Sequence, residues 1–429
     1  MSGSVVDFPA PSAARARLAD DLLAFSEFGR ATISSSTRVQ TFDGRALDVP
    51  TFTNEFWTSK QRAANRLHEI SYRACFKPQL PRFFIERLTR PNEIVYDPFM
   101  GRGTTPLEAA LLGRVPFGCD INPLSALLTR PRLQPPSLAE VEERLREINL
   151  RAANAPTDSK GPSRDDLLVF FHPETLEQLL GLKSYFLRRG DQLDAVDDWI
   201  RMVAVNRLTG HSNGFFSVYT LPPNQAVSAK AQRKINADRH QSPPPRDVAE
   251  IILKKSRSLL GDISAEPGVR AALAPAQARA LFLTQDASDT RQIPAESVSL
   301  VVTSPPFLNV VDYAGDNWLR CWFVGIDPQE VRLTVPRKLA HWQEAMTKVF
   351  HELERVLKKN GRIAFEVGEV HGGKTRLEEA VVPCGAEAGL VAELILINDQ
   401  EFTKTANCWG VNNNSKGTNT NRVVVFAKA

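Results

Sequence analysis

The sequence lacks several features that would assign it to a specialised class of protein. No run of eighteen apolar residues occurs, so we expect no transmembrane helix and no membrane partner. The N-terminus has no basic stretch followed by an apolar segment, so we expect no signal peptide. The net charge of +4 is too small for composition alone to indicate nucleic-acid binding, which only a local concentration of charge could do.

Cysteine is scarce and unpaired in pattern. The five cysteines include no CxxC pair, and their number is odd. This usage favours free thiols in a reducing cytoplasm over a disulfide framework or a zinc site. The sequence also shows no cluster with metal-ligand spacing, and we expect a cytoplasmic protein that needs no metal.

The apolar content is sufficient for a large core, and its pattern predicts an α/β fold. Hydrophobic residues make up 42% of the 429 residues, which suits a large core with an insertion or two domains. Short apolar runs at residues 93–97 and 115–120 flank a helical segment and predict a β-α-β unit. Thr105, Pro106 and Glu108 predict the start of that helix, as N-cap, first-turn proline and capping-box acid.

Strands and helices elsewhere in the chain predict how it divides into regions. Strands are expected again at residues 280–286, 297–306, 361–370, 392–399 and 422–429, with a long helix over 339–358. Helical patterns dominate the middle, and helices are also expected over 55–70 and after 71–78. We therefore expect one open, mostly parallel sheet with an insertion. The predicted divisions are an N-terminal arm (1–50), a catalytic domain (51–130 and 280–429) and a helical insertion (131–279).

A glycine-containing loop, residues 97–105, follows the first predicted parallel strand. Ligands of open α/β sheets bind beyond the carboxyl ends of the strands, and Gly101 and Gly103 allow close backbone approach. Asp120 ends the next strand, where an acid can accept hydrogen bonds from both ribose hydroxyls. Asp286 ends a later strand and could reach an adenine amino group, although an Asp at that place is also a common turn residue. These residues alone leave an NAD site open as an alternative to S-adenosylmethionine.

Three motifs together resemble those of the amino-methylating DNA methyltransferases. DPFMGRGTT resembles the family's cofactor motif, DPFxGxGTT, and SYRACFKP upstream resembles the segment that closes over the methionine end of the cofactor. The sequence TSPPF resembles the catalytic motif (D/N/S)PP(Y/F/W). The resemblance implies a Rossmann-like class I methyltransferase sheet and S-adenosylmethionine as cofactor. The expected cofactor-binding residues are Phe76, Lys77, Asp97, Pro98, Phe99, Gly101, Gly103, Thr104, Thr105, Asp120, Ile121 and Asp286.

The resemblance also implies how the catalytic residues act. The Ser304 side chain and the Pro305 carbonyl accept hydrogen bonds from the exocyclic amine, and such bonds raise the rate if they strengthen in the transition state. Pro305 and Pro306 remove competing N–H donors and stiffen the backbone. Phe307 stacks on the base, which must leave the duplex to be reached.

The motifs leave two target atoms open, cytosine N4 and adenine N6. In this family Ser at the position of Ser304 is associated mainly with cytosine N4, and Asp or Asn mainly with adenine N6, so we expect cytosine N4. An adenine-N6 enzyme, a catalytically inactive DNA-binding relative and an NAD-dependent oxidoreductase are the alternatives. Pro383-Cys384 resembles the nucleophile dipeptide of cytosine-C5 methyltransferases, but it lies after a later strand, and we interpret Cys384 as a structural or surface thiol.

The insertion carries the expected contacts to double-stranded DNA. The order of the motifs resembles the class with its recognition domain between them, so we interpret the insertion as the target-recognition region. Residues 228–257 hold eight Lys or Arg against three Asp or Glu. We expect phosphate contacts from this segment, with a solvated loop and helix face as the alternative. The DNA-binding candidates are Lys230, Arg233, Lys234 and Arg239.

Two further expectations concern polar segments and the biological setting. Residues 206–213 carry side chains able to recognise base edges, although His211 is as compatible with stabilising the loop. Residues 407–422 form a polar loop that either touches the DNA backbone or is a flexible hairpin. A bacterial modification system is the expected setting, with a cognate restriction endonuclease as a possible partner.

Overall fold

The strands alternate with helices along the chain. The computed structural model describes residues 13–57, 64–72, 75–150, 161–220, 226–306, 313–327, 331, 336, 338–367, 369–370, 375–399 and 420–428. The strands in these ranges are β1 (Ile33–Gln40), β2 (Ala46–Asn54), β3 (Ile94–Asp97), β4 (Val115–Asp120), β5 (Leu281–Thr284), β6 (Val298–Thr303), β7 (Leu357–Val367), β8 (Glu369–Val370), β9 (Thr375–Arg376), β10 (Val391–Asp399) and β11 (Thr420–Ala427).

The helices cluster between β4 and β5 and flank the sheet elsewhere. They are α1 (Ala13–Leu23), α2 (Gln79–Leu88), α3 (Thr104–Leu111), α4 (Leu124–Thr129), α5 (Leu138–Glu147), α6 (Arg164–Leu168), α7 (Pro173–Arg189), α8 (Ala195–Arg207), α9 (Ala229–Asp238), α10 (Val248–Leu259), α11 (Gly261–Ala265), α12 (Pro267–Arg279), α13 (Tyr313–Val324), α14 (Leu339–Val356) and α15 (Leu377–Glu387). Short 3-10 helices occur at Arg66–His68, Arg130–Leu133 and Gly190–Gln192.

A nine-stranded sheet organises the molecule, in the order β1-β2-β10-β11-β7-β6-β3-β4-β5. The strands from β7 to β5 run parallel to their neighbours. β11 is antiparallel to both β7 and β10, whereas β10 is parallel to β2. This topology confirms the prediction of an α/β, Rossmann-like, mostly parallel sheet.

The central strands are apolar because helices cover both faces of the sheet. Val95 and Tyr96 on β3, and Leu300 and Val301 on β6, are fully buried although successive side chains point to opposite faces. The order of the strands along the chain reverses between β3 and β6. On one side of β3 lie β4 and β5, and on its other side lie β6 and β7. In open sheets a crevice forms at such a point, beyond the carboxyl ends of the strands.

The segment between β4 and β5 is helical, apart from one isolated bridge between Gly210 and Tyr219 among the described residues. Its apolar side chains share one buried cluster with the helices that follow β3 and β4. That cluster includes Leu107 of α3, Leu176 of α7, Trp199 of α8 and Ile252 of α10. The inserted helices therefore pack onto α3 through a common core.

The first part of the chain differs from the arm expected over residues 1–50. β1 and β2 form a hairpin that extends the sheet beside β10. Leu18 and Leu22 of α1 are buried in one cluster with Phe52 and Phe83. Burial of this apolar surface explains why residues 13–50 join the catalytic fold. In the described part of residues 55–70, the expected helix is reduced to the 3-10 turn Arg66–His68.

Candidate active site

A cavity of about 470 Å³ opens at the carboxyl ends of the parallel strands. The residues at or just after the ends of β3, β4, β5 and β6 all line it: Asp97, Asp120, Asp286 and Ser304. The N-terminal half of α14 supplies the opposite wall, including Trp342 and Ala345. The sheet topology therefore brings the two sequence motifs into one site.

Asp97 holds the loop after β3 against β6. Its Oδ1 accepts hydrogen bonds from the Phe99 N–H at 3.1 Å and the Thr303 hydroxyl at 2.6 Å. Burial raises the pKa of Asp97 to about 7, and the hydrogen bond from Thr303 acts in the opposite direction. Thr303 immediately precedes Ser304, so Asp97 fixes the start of the catalytic segment as well as the cofactor loop.

Asp120 connects the ends of β3 and β4. One carboxylate oxygen accepts the Gly101 N–H at 2.9 Å, and the other accepts the Asn122 N–H at 2.8 Å. Burial raises the pKa of Asp120, while these backbone hydrogen bonds oppose the rise. A carboxylate has about four acceptor sites, so both oxygens keep acceptor capacity toward the cavity.

Most of the predicted cofactor-binding residues line this cavity. The lining includes Phe76, Asp97, Pro98, Phe99, Gly101, Thr104, Asp120, Ile121 and Asp286. Lys77 is exposed and is not among the lining residues. Gly103 and Thr105 also lie outside the lining and act behind the loop.

Gly103 and Thr105 fasten the cofactor loop to its surroundings. Gly103 has φ +73°, and a Cβ there would lie 2.1 Å from the Thr129 hydroxyl oxygen, so only glycine fits. The Thr105 hydroxyl donates to the Val302 carbonyl of β6 at 3.0 Å. Both residues thus support the loop without contacting the cavity.

The segment upstream of the loop closes one end of the cavity. Tyr72 and Phe76 line it, and the Tyr72 hydroxyl accepts a hydrogen bond from the Asn122 amide at 3.2 Å. Arg102 of the cofactor loop donates to the Ile70 carbonyl at 2.9 Å and the Phe76 carbonyl at 3.4 Å. The loop and the closing segment are therefore joined by the Arg102 guanidinium.

Glu108 does not form the predicted capping box. α3 begins at Thr104 with Gly103 as N-cap and no side-chain cap. The Glu108 carboxylate is instead buried and bonded to His68 Nε2 at 2.7 Å and Arg82 Nε at 2.5 Å. These partners lie 40 and 26 positions upstream, so no local pattern around α3 could have predicted them.

Ser304 lies at the exit of β6 and bonds to a second buried acid. Its hydroxyl donates to Oε2 of Glu366 near the end of β7. Glu366 Oε1 accepts the Asn421 amide of β11 at 3.1 Å. Burial raises the pKa of Glu366 above its ordinary value of 4.5, and the hydrogen bond from Ser304 acts against that rise.

The other residues predicted to be catalytic differ in what the structure describes of them. Pro306 lines the cavity beside Ser304, and Pro305 is buried between them. Phe307 lies outside the described residues. Glu366 was not predicted, although a lone acid at the end of the apolar strand next to the TSPPF motif is a usable signal.

Cys384 is not among the residues that line the cavity. It is fully buried in α15, and burial raises the pKa of its thiol to about 11. A thiol with so high a pKa is a poor nucleophile at neutral pH. Of the two expected places, structural or surface, this burial agrees with the structural one.

The predicted DNA-binding residues lie on and after α9. Lys230 and Lys234 are exposed. Arg233 forms an ion pair with Asp166 at 2.8 Å, and the Arg239 guanidinium lies 4.0 Å from the centre of the Tyr219 ring. The two arginines thus have partners within the protein, and the two lysines are the more accessible cations.

One residue of the proposed base-reading segment is an interior anchor. Asn206 is buried, accepts the Ser71 N–H at 2.7 Å and donates to the Ser71 carbonyl at 3.2 Å. The prediction that Asn206 recognises base edges is therefore wrong, since both ends of its amide are engaged. The loop expected over 407–422 lies mostly outside the described residues.

The described part of the chain contains no candidate for a membrane span or for a metal site. No helix there is both long and apolar enough to span a bilayer. No group of three or more His, Cys, Asp or Glu side chains there is placed to hold a metal ion.

The family model of the N6/N4 DNA methylases matches residues 38–126, from the β1–β2 hairpin to the end of the β3-α3-β4 unit. Two type II methyltransferases are similar to parts of the chain. M.MjaII of Methanocaldococcus jannaschii is 31% identical over 129 residues, which are 30% of this chain and 23% of that protein. M.MvaI of Kocuria varians is 34% identical over 103 residues, 22% of each chain.

A longer but more distant similarity covers most of the chain. M.BsoBI of Geobacillus stearothermophilus, also a type II methyltransferase, is 22% identical over 328 residues, or 66% of this chain and 58% of that protein. The chain therefore matches less than a quarter of the first two relatives and little more than half of the third.

Proposed function

We propose that this chain, which is similar to the amino-methylating DNA methyltransferases, transfers a methyl group from S-adenosylmethionine to an exocyclic amine in duplex DNA. The observation that carries the proposal is the meeting of the two motifs. Asp120, Gly101 and Ser304 line one cavity, where a methyl donor and an amine acceptor would face each other.

S-adenosylmethionine is the cofactor that the family implies, and the cavity lining fits it. Asp120 offers carboxylate acceptors for ribose hydroxyls, and Asp286 is placed to accept from an adenine amino group. Phe76, Phe99 and Ile121 supply apolar surface between the polar groups. When bound, this cofactor supplies an electrophilic methyl group on a sulfonium.

Ser304 and Glu366 prepare the amine in this proposal. The Ser304 hydroxyl donates a hydrogen bond to Glu366, so the lone pairs of its oxygen are left to accept an amine N–H. The Pro305 carbonyl accepts the other amine hydrogen. On methyl transfer, the Ser304 hydroxyl would accept the surplus proton of the amine and pass its own proton to the Glu366 carboxylate, which would leave the amine neutral.

We propose cytosine N4 as the target atom, on the basis of Ser304. The helical insertion would contact the DNA, with the exposed Lys230 and Lys234 neutralising phosphates. The similarity to type II methyltransferases supports a modification system, in which a restriction endonuclease would be the cognate partner.

Nucleoside analysis tests the proposal directly. DNA methylated by the protein is digested to nucleosides and separated by mass spectrometry, with Ser304→Ala as the inactive control. N4-methylcytosine is the expected product. N6-methyladenine alone would overturn the cytosine assignment and leave the enzyme class intact. C5-methylcytosine would overturn the mechanism, because that reaction requires a cysteine nucleophile. No product, with cofactor binding retained, would favour a catalytically inactive DNA-binding relative.

A further inference from the structure

One tryptophan is shared by the cofactor cavity and the catalytic segment. Trp342 of α14 is fully buried, and its indole Nε1 donates a hydrogen bond to the Pro306 carbonyl at 3.0 Å. The same side chain lines the cavity that contains Asp120 and Gly101. No feature of the sequence motifs identifies this residue, which lies 36 positions after Pro306.

The hydrogen bond distinguishes the two proline carbonyls. Each can accept a hydrogen bond, and neither proline has an N–H to donate. Trp342 occupies the Pro306 carbonyl, whereas the structure records no donor for the Pro305 carbonyl among the described residues. Among the described residues, the Pro305 carbonyl is therefore the one of the two that stays available to a substrate.

The catalytic segment is held at both of its ends. The Thr303 hydroxyl is bonded to Asp97 before Ser304, and the Pro306 carbonyl is bonded to Trp342 after Pro305. These two hydrogen bonds thus hold the stretch from Ser304 to Pro306 on both sides. Because the prolines also restrict φ, this stretch has little freedom to turn its carbonyls away.

The helix that carries Trp342 is itself firmly anchored. Met346, Val349, Phe350 and Leu353 bury one face of α14 at helical spacing. The Gln343 amide donates to the Ala380 carbonyl of α15 at 2.9 Å, next to Trp342 in the chain. The indole N–H is therefore a donor in a fixed position, to which the Pro306 carbonyl is bonded.

We propose that Trp342 is a positioning residue that sets the catalytic segment so that the Pro305 carbonyl and the Ser304 hydroxyl accept from the target amine. This inference rests on the proposed methyl transfer. It assigns to α14 a role in turnover that is separate from its contact with the cofactor cavity. Loss of the indole N–H should then affect kcat rather than cofactor affinity.

The test is Trp342→Phe, which keeps an aromatic ring in the cavity wall and removes the donor. A misplacement of about 1 Å at reacting atoms costs on the order of a hundredfold, so we expect kcat to fall about ten- to a hundredfold. The dissociation constant of S-adenosylmethionine, measured by calorimetry, should stay within about twofold, because the ring remains. Trp199→Phe is the matched control: its indole donates to Ser256 at 3.0 Å in the core of the insertion, away from the cavity.

The outcomes separate positioning from packing. A fall in kcat for W342F, with W199F close to wild type per folded molecule, supports the inference. Unchanged kcat in W342F would overturn it, and so would equal losses in both variants or a loss confined to cofactor affinity. If W342F does not fold, 3-benzothienylalanine at position 342 replaces the N–H by sulfur in the same ring shape. An inactive wild-type protein would overturn the proposed function as well, which no result on W342F alone could do.

Discussion

Replacement of Glu366 by Gln is the sharpest test of the proton path. The carboxylate accepts from the Ser304 hydroxyl on one oxygen and from the Asn421 amide on the other. The Gln amide can present only one oxygen, so one of these two donors would face an NH2 group. E366Q therefore removes the proton acceptor and disturbs the orientation of Ser304 while nearly preserving side-chain volume.

The expected magnitude has two parts. A hydrogen bond to a charged group contributes roughly 1.5–3 kcal/mol, against about 0.5–1.5 for a neutral one, so neutralising Glu366 weakens the hold on Ser304 by about 1–1.5 kcal/mol. That difference is about tenfold in rate. Loss of a positioned proton acceptor costs roughly a hundredfold or more. We expect kcat of E366Q to fall by about 10²–10³.

The pH dependence provides an independent signature. Burial raises the pKa of Glu366 above 4.5, and the proposed mechanism requires its carboxylate form. The wild-type kcat should therefore fall as pH decreases through this raised pKa, because a protonated Glu366 donates to Ser304 and no longer accepts the proton. In E366Q this acid limb should disappear, since the amide does not titrate. An unchanged kcat with an unchanged acid limb would refute the reasoning.

Stability measurements exclude unfolding as the cause. A carboxyl whose pKa is raised in the folded state favours folding fully below its unfolded pKa and loses that contribution as pH rises through the folded pKa. The stability of E366Q relative to wild type should therefore be highest at pH 8 and should decrease toward pH 5, because only the wild-type carboxyl titrates. Glu393→Gln is the control: it is a buried acid of the same sheet, paired with Arg362, and should lower Tm without changing kcat per folded molecule.

Two other substitutions test the remaining contacts. Asp120→Ala should weaken S-adenosylmethionine binding about ten- to a hundredfold in titration calorimetry, because charge-assisted hydrogen bonds of roughly 1.5–3 kcal/mol are lost; unchanged affinity in a folded variant would remove Asp120 from the site. Lys230→Ala with Lys234→Ala should flatten the dependence of DNA affinity on salt by about 0.9 in log-log slope for each lost phosphate contact. The control is Lys359→Ala, which changes an exposed lysine at the start of β7 and should leave that slope unchanged. If all three substitutions had equal effects on the slope, the DNA would have to bind elsewhere than at Lys230 and Lys234.

The sequence predicted the parts of the fold that local patterns control. Predicted strands at 93–97 and 115–120 correspond to β3 and β4, and the helix expected over 339–358 is α14 (Leu339–Val356). Buried parallel strands and amphipathic helices have short periods that a single sequence displays. The β1–β2 hairpin was missed although Asp43-Gly44 in its turn is a local hairpin signal. Its pairing with β10 joins residues more than 340 positions apart and has no local signal.

The site was predictable to the same extent. The motif residues converge because each motif follows a parallel strand, and that rule is topological. Glu366 and Trp342 carry no motif, and their roles depend on contacts 62 and 36 positions along the chain. Asn206 shows the opposite error: a polar side chain beside a basic segment is turned inward to hold Ser71.

The common core of the insertion and α3 constrains how this protein could acquire a new DNA target. A recognition segment joined to a catalytic domain only by linkers could be exchanged as a cassette between relatives. Here Leu107 behind the cofactor loop packs in the same buried cluster as Leu176 and Trp199. Exchange of the whole segment would remove part of the support for the methyl-donor site. Under the proposed role of the insertion in target recognition, changes of target are confined to its solvent-facing positions, and each such change must leave its inner face intact.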